Sequence, residues 1–401
     1  MADIRLPVCY ILGLETQIGL GLVREVGRAG IPVVGIAQRA EAIGLSSRYL
    51  FASSVVTDPR SDDGIEAIRA LGSRYGSGFL IAVSETNVRW LIDHQQSFGE
   101  MRPLVPTLQA FETVADKART IEIARQLGID IPASVVPQDW LDVESIARSF
   151  CFPGVMKWPA PESVSGVLAE YGLPLHKAEY VYDAGDFLKV AARYRPIGRW
   201  PLLQEYCAGR GLGQFFFMHQ GNAVRRFQHL RIAEWPPEGG FSSVCDALPL
   251  RYFADLQAKS IALLQAINWQ GVAMVEYRHD KKTGRSCLME INGRYWGSFP
   301  LAVQSGAGFG LLTYWLQGLG KMPELPAVRD NLRCRMLATE VKRLGRILFQ
   351  SERIQDTTFQ VRPWYELARF ALDFFRPNVR YYVWSFDDPM PLLADLRNLA
   401  R

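Results

Sequence analysis

No apolar run in this chain approaches the roughly 18 residues that a membrane-spanning helix needs, so no membrane span is expected. The amino terminus, MADIRLPVCYILGLE, carries an acid early and shows no cleavable signal pattern. Cysteines are few and scattered. Cys9, Cys151, Cys207, Cys245, Cys287 and Cys334 have no metal-type spacing and read as reduced, mainly buried thiols of a cytoplasmic protein. Net charge is small, +4, and uneven: residues 326–401 hold 13 Arg/Lys against 9 Asp/Glu, which is the whole excess. A nucleic-acid footprint needs a clustered basic patch, so nucleic acid is not an expected partner. Internal repeats and low-complexity linkers are also missing. What remains is 401 residues with 48% hydrophobic content, enough for two or three packed domains.

The first hundred residues read as strand, glycine turn, helix, strand. PVCYIL ends at Gly13, LETQIGLGLVREVGRAG has helical spacing, and IPVVGI follows. Gly13, Gly19 and Gly21 do not fit a dinucleotide fingerprint, and Gln38 and Arg39 stand where its acid would be. GFLIAVS, residues 78–84, is a further strand, and SETNVRWLIDHQQSF the helix after it. Ser84, Glu85 and Thr86 at that strand end could face a crevice, and Arg89 or Arg231 could hold a carboxylate, against ordinary surface roles. Pro103 and Pro106 mark a boundary.

The most informative stretch is GVAMVEYRHDKKTGRSCLMEINGRYWGS, Gly271 to Ser298. VAMVEY and SCLMEIN read as strands joined by the polar turn HDKKTG. Each strand carries one acid, Glu276 and Glu290. Asn292 follows Glu290 by two, so both share a face, and Arg294 extends the period. Acids among apolar strand residues are costly unless paired or bound to a cation, and oxygen ligands suit a hard ion such as Mg²⁺. An ordinary surface hairpin is the alternative.

Elsewhere one amphipathic helix is expected in LQAFETVADKARTIEIARQLG, with Lys117 early in it; a lone helical lysine is ordinarily solvated. FPGVMKW is a strand with Lys157 among apolar residues, a placement that asks for an anionic partner. PAPESVSGVLAEYG, a loop able to fold over a ligand, follows. PLLQEYC is a strand ending near Glu205, AGRGLGQ supplies flexibility, and residues 215–240 form a meander. The tail beyond 326 is harder to read. CRMLATEVKRLGRILF suits strand or helix, and WYELARFALDFF reads as an amphipathic core helix rather than a membrane attachment.

Taken together, MEINGRYWGS, Glu276, LLQEYCAG, FPGVMKW and Lys117 resemble the ATP-grasp superfamily, particularly bacterial carboxylate–amine ligases. The resemblance covers about residues 7–320. It implies an α/β (α+β) fold with an N-terminal α/β domain (1–108), a lid with its linker helix (109–203), a metal-bearing subdomain (204–325) and an extension (326–401). It implies that Glu276, Glu290 and Asn292 hold Mg²⁺, with Mn²⁺ as a substitute. Lys117 and Lys157 would contact ATP phosphates, and Gln204, Glu205, Tyr206 and Cys207 the adenine. Arg294 would steady the γ-phosphate and an acyl phosphate. Arg231 would meet the phosphate or the acidic substrate, and reads equally as a solvated arginine. Small-molecule carboxylates and amines, such as amino acids, are the implied partners, and a homodimer is expected by analogy. The chain departs from the pattern in its glycine-poor phosphate loop, with only Gly166, and in lacking an acid for the ribose just after the hinge. A silent ATP-binding regulator, a carboxylating or phosphorylating enzyme, and a structural protein with a buried ion network are the competing classes.

Overall fold

Three sheets organise the chain, and they form in chain order. The computed structural model describes residues 6–159, 161–176 and 178–399. The first five residues, part of the stretch without a signal pattern, lie outside the described residues, as does Ala160 in the loop after Lys157. The first sheet comprises β1 (Val8–Leu12), β2 (Val33–Ala37), β3 (Ala52–Val55), β4 (Gly78–Ala82) and β5 (Met101–Pro103). All pairs are parallel, in the order β3-β2-β1-β4-β5. The central strands β1, β2 and β4 are buried at every position, as parallel strands covered on both faces should be. The order reverses between β1 and β4, and ligands collect at the carboxyl edge of such a switch. Gly13 and Ser84 sit there. Ser84 caps the helix Glu85–Asp93 by accepting the Asn87 N–H at 3.2 Å.

The single helix expected after Pro106 is two, Leu108–Ala115 and Lys117–Gln126. Asp116 leaves helical geometry (φ −81°, ψ 96°), and its carboxylate accepts the N–H groups of Ala118 and Arg119. A residue that caps so well starts a new helix, and Lys117 becomes its first residue.

The second sheet is small and antiparallel: β6 (Ser134–Val135), β7 (Gly154–Lys157), β8 (Glu179–Val181) and β9 (Leu202–Glu205), in the order β6-β9-β7-β8. It has a core of its own, built with the helices Trp140–Ser149 and Ala184–Tyr194 from residues such as Val143, Met156, Phe187 and Leu203.

The third sheet has seven strands: β10 (Arg210–His219), β11 (Asn222–Trp235), β12 (Phe241–Ala247), β13 (Gly271–His279), β14 (Ser286–Asn292), β15 (Arg333–Arg335) and β16 (Val379–Tyr381). Their order is β14-β13-β10-β11-β12-β15-β16. Alternate residues of β10 enter two different cores. Phe215 and Phe217 pack in the cluster that holds Cys9, Ile11 and Trp296. Leu212, Phe216 and Met218 pack in the one that holds Tyr10, Leu80 and Trp269. Each core thus contains residues of the first sheet and of the third, so these two layers are fused, while the four-stranded sheet is packed around separate apolar side chains.

Two expectations are corrected here. AGRGLGQ is not a flexible connector. Gly209 makes the turn (φ +99°), but Gly211 and Gly213 lie inside β10. A Cβ on Gly211 would stand 2.5 Å from Arg231 Cδ, and one on Gly213 2.7 Å from His229 Nε2. Glycine here makes room for side chains lying flat across the sheet. The tail is also different. CRMLATEVKRLGRILF is both strand and helix, β15 followed by Leu337–Phe349. The helix Pro363–Leu372 does not bury its aromatics: Glu366 faces inward, while Trp364 and Tyr365 are exposed.

Candidate active site

β13 and β14 place Glu276 and Glu290 directly opposite each other. The register slips by one residue beside them, so Met289 is an extra residue on β14. Such a bulge re-aims side chains, and here Met289 and Glu290 both line the main cleft, while Leu288 stays in the core. Asn292 donates to Glu290 Oε1 at 3.0 Å, and Arg294 donates to Asn292 Oδ1 at 3.0 Å. The expected shared face is therefore present. Arg294, expected to act with the others, does not line the main cleft; it lines a separate small pocket with Trp269, Tyr295 and Gln317, with Glu85 3.9 Å away.

The cleft has a volume of about 610 Å³ and runs between the four-stranded and seven-stranded sheets. Lys117, Lys157, Gln204, Glu205, Tyr206, Cys207, Arg231, Glu276 and Glu290, nine residues singled out from sequence, all line it. Asn292 lines an adjoining cleft together with Glu85, Lys117 and Glu290. Lys117 Nζ lies 3.6 Å from Glu290 Oε2. The sequence reading gave Lys157 an anionic partner. Its hydrogen-bond partner is instead the neutral amide of Gln204, at 2.7 Å to Oε1, with Gln204 Nε2 donating to Ser134 Oγ. Burial, and then the charge of Lys117, push the Lys157 ammonium below its ordinary range despite the opposing pull of Glu290. Two cations thus share one end of the cleft without full neutralisation, an arrangement that suits a polyanion.

On the cleft floor Arg231 binds Glu276 Oε2 at 2.6 Å, Glu234 at 3.2 Å and the Gly240 carbonyl at 2.9 Å. It is not solvated. Burial opposes its charge, but Glu276 and Glu234 more than compensate. Burial drives the Glu276 carboxyl up, and repulsion from Glu290 adds to this against the pull of Arg231. Glu290 lies on the other side of the usual range. Burial raises it, but the Asn292 hydrogen bond and the charges of Lys117, Arg294 and Arg231 win.

The donor set is two opposed carboxylates with an amide beyond them. Among the described residues no group of three His, Cys, Asp or Glu side chains forms a metal cage. Mg²⁺ does not need one. It typically takes one or two carboxylates and completes its shell with water and substrate phosphate. A divalent cation between Glu276 and Glu290 would also relieve their mutual repulsion, so the residues present fit the ion.

At the far end the strand β9 leads into the hinge. The Glu205 carboxylate is held by Arg285 and by the Ala133 N–H at 3.0 Å, which ties the end of β9 to the β13–β14 hairpin. Tyr206 Oη donates to Asp356 Oδ2 at 2.8 Å and lies 3.1 Å from Thr358 Oγ1. Cys207 gives its carbonyl to Arg278 at 3.3 Å. Sequence reasoning missed Glu234 and Arg278, a half-buried pair at 3.3 Å, and the tail residues Arg346, Arg353 and Gln355 that wall the cleft. The glycines of β10 were the available signal for the first two. The tail also reaches the four-stranded sheet: Tyr182 Oη accepts the Thr357 N–H at 2.7 Å and donates to the Gln355 carbonyl at 3.3 Å.

No family model matches the chain, and no curated protein matches it. Solved structures do. The biotin carboxylase domain dimer of Hydrogenobacter thermophilus 2-oxoglutarate carboxylase, in complex with MgADP, ADP and bicarbonate, superposes with a TM-score of 0.61 at 15% identity, over 81% of this chain and 73% of that one. The ADP complex of N5-carboxyaminoimidazole ribonucleotide synthetase gives 0.60 at 12%, over 83% and 82%. L-amino acid ligase from Bacillus licheniformis gives 0.54 at 16%, over 78% and 74%. These relatives, the order of the three sheets and the position of the cleft agree: the chain has the ATP-grasp fold.

Proposed function

We propose that the chain is an Mg²⁺- and ATP-dependent ligase that activates a carboxylate as an acyl phosphate and joins it to an amine. The observation that carries this reading is the meeting of Glu276 and Glu290, in register, with Lys117 and Lys157 from two other elements in one cleft. On this reading residues 109–203 form the lid and 204–325 the metal-bearing part, with β9 crossing from one to the other. The fold relatives include a ligase and two carboxylating or carboxyamino-forming enzymes by name, which supports ATP-driven chemistry on a carboxylate or bicarbonate.

Glu276, Glu290 and Asn292 would hold the ion. When bound, it neutralises charge on the β- and γ-phosphate oxygens. Lys117 and Lys157 would grip the phosphates, and Arg231 keeps Glu276 aimed. Arg294, which donates to Asn292 Oδ1, would steady the γ-phosphate and then the acyl phosphate. In the reaction a substrate carboxylate oxygen attacks the γ-phosphorus, the bond to the bridging oxygen breaks, and ADP leaves. The amine nitrogen then attacks the acyl carbon, phosphate departs with the C–O electron pair, and the nitrogen loses a proton. Positioning and electrostatics supply most of the acceleration. Closure of the lid excludes the water that would hydrolyse the acyl phosphate. A cytoplasmic setting fits a chain whose six cysteines form no disulfide.

Paired ADP and phosphate release, screened across carboxylates and amines with mass spectrometry of the product, tests the reading. Glu290→Ala should abolish substrate-dependent release. Full release by that variant would remove the metal role. Release that needs bicarbonate and no amine would replace ligation by carboxylation.

A further inference from the structure

The tail helix Pro363–Leu372 is built inside out. Its inner side carries the charges. Glu366 pairs with Arg343 at 2.7 Å and Arg369 at 2.6 Å. Just past its end Asp373 pairs with Arg333 at 2.9 Å and Arg376 at 3.2 Å. Behind it the fully buried Arg335 guanidinium stacks on Phe370 and Phe374, at 4.9 and 4.4 Å from their ring centres. Its outer side is apolar. Trp364 is 79% exposed, and Phe375, one turn past the helix, is 85% exposed, with Leu372 also exposed between them. The face continues through ring contacts from Phe374 to Tyr381, Trp384 and Phe386, the last 88% exposed. A soluble surface does not ordinarily leave so many large aromatics together in water.

The surrounding charge says what covers it. Residues 361–386 contain two acids, Glu366 and Asp373, and both are buried. The charges beside the apolar face are the exposed Arg362 and Arg376, the latter paired with Asp373, and the half-buried Arg380, while Asp387, next to Phe386, is paired with Arg28. A second copy of the chain, related by a twofold axis, would set these arginines against themselves. An anionic surface would complement them. Aromatic rings with flanking cations are the equipment of an interfacial anchor, and no helix among the described residues is long and apolar enough to cross a bilayer.

We propose that the aromatic face formed by Trp364, Leu372, Phe375 and Phe386 docks the protein on a bilayer surface rich in anionic phospholipid, with Arg362, Arg376 and Arg380 meeting the headgroups. This does not depend on the ligase reading, because none of these residues lines the cleft.

Vesicle co-sedimentation of the full chain tests it. The protein should pellet with vesicles of phosphatidylcholine and phosphatidylglycerol, not with phosphatidylcholine alone, and added salt should weaken the association. Trp364→Ser with Phe375→Ser should lower partitioning more than about tenfold, as loss of two large apolar anchors requires, and Arg362→Glu should weaken it for anionic vesicles. Both positions are exposed, so the thermal midpoint should not fall. Wild-type protein that stays in the supernatant, or a double variant that pellets like wild type, overturns the proposal. So does a wild-type dimer in sedimentation velocity that the double variant splits, which would give this face to a second copy.

Discussion

Glu25 lets the coupling between the first and third sheets be measured through pH. It lies on the helix Gln17–Arg28, and its Oε2 accepts the Gly310 N–H at 2.5 Å, at the start of the short helix Phe309–Leu312. Glycine at 310 permits this approach: a Cβ there would stand 2.6 Å from the same oxygen. Burial pushes the carboxyl up to about 7, against the backbone N–H groups of Gly310, Gly308 and Leu311 and the charge of Arg225. The native state therefore binds a proton more tightly than the unfolded chain does. This contribution to stability is fully present below pH 4.5 and is lost as pH rises through about 7. Its size is about 3 kcal/mol, at roughly 1.4 kcal/mol per decade of proton affinity. Glu25→Gln removes the titration while keeping the shape of the protonated acid. Urea unfolding of both proteins should show the variant gaining on wild type by about 3 kcal/mol between the acid and alkaline sides of that window. Parallel stability curves across it would refute the burial argument.

Two further predictions concern the cleft. If Lys157 grips phosphate as proposed, Lys157→Met removes a charge-assisted contact worth about 1.5–3 kcal/mol, so Mg-ATP affinity by calorimetry should fall roughly ten- to hundredfold. The apo protein should lose no more than about 1 kcal/mol, because relief of a buried ammonium offsets the lone Gln204 oxygen. Gly211→Ala drives a Cβ to within 2.5 Å of Arg231 Cδ. It should cost about 1–3 kcal/mol by overpacking and lower ATP turnover by freeing Glu276 from Arg231; unchanged turnover would show that Arg231 does not position that acid.

The hairpin was legible because an acid is conspicuous in an apolar strand, and Glu276, Glu290 and Asn292 share a face as the period of two requires. The bulge at Met289 was not, since nothing in SCLMEIN marks an unpaired residue; only pairing with β13 reveals it. Asp116 was read as part of one long helix because its capping role depends on a backbone turn that periodicity does not show. β3 and β5 are short and lie at sheet edges, where the apolar pattern is weakest. The tail misled for a different reason. Its helix has the regular spacing of an amphipathic segment, and spacing alone does not say which face turns inward when buried arginines wait to receive Glu366 and Asp373. The partner of Lys157 was missed because a neutral amide leaves no charge pattern to search for.

The contacts of the tail with Tyr182 and Tyr206 set a condition on traffic through the cleft. Tyr182 follows β8 in the four-stranded sheet, the proposed lid, whereas the Gln355 N–H is held at 3.4 Å by Glu238, between β11 and β12 of the seven-stranded sheet. If that lid opens, each opening has to release these hydrogen bonds, at about 1 kcal/mol apiece. On the proposed reading, the dwell time of a bound nucleotide would be governed less by the joint at β9 than by a latch more than a hundred residues further along the chain.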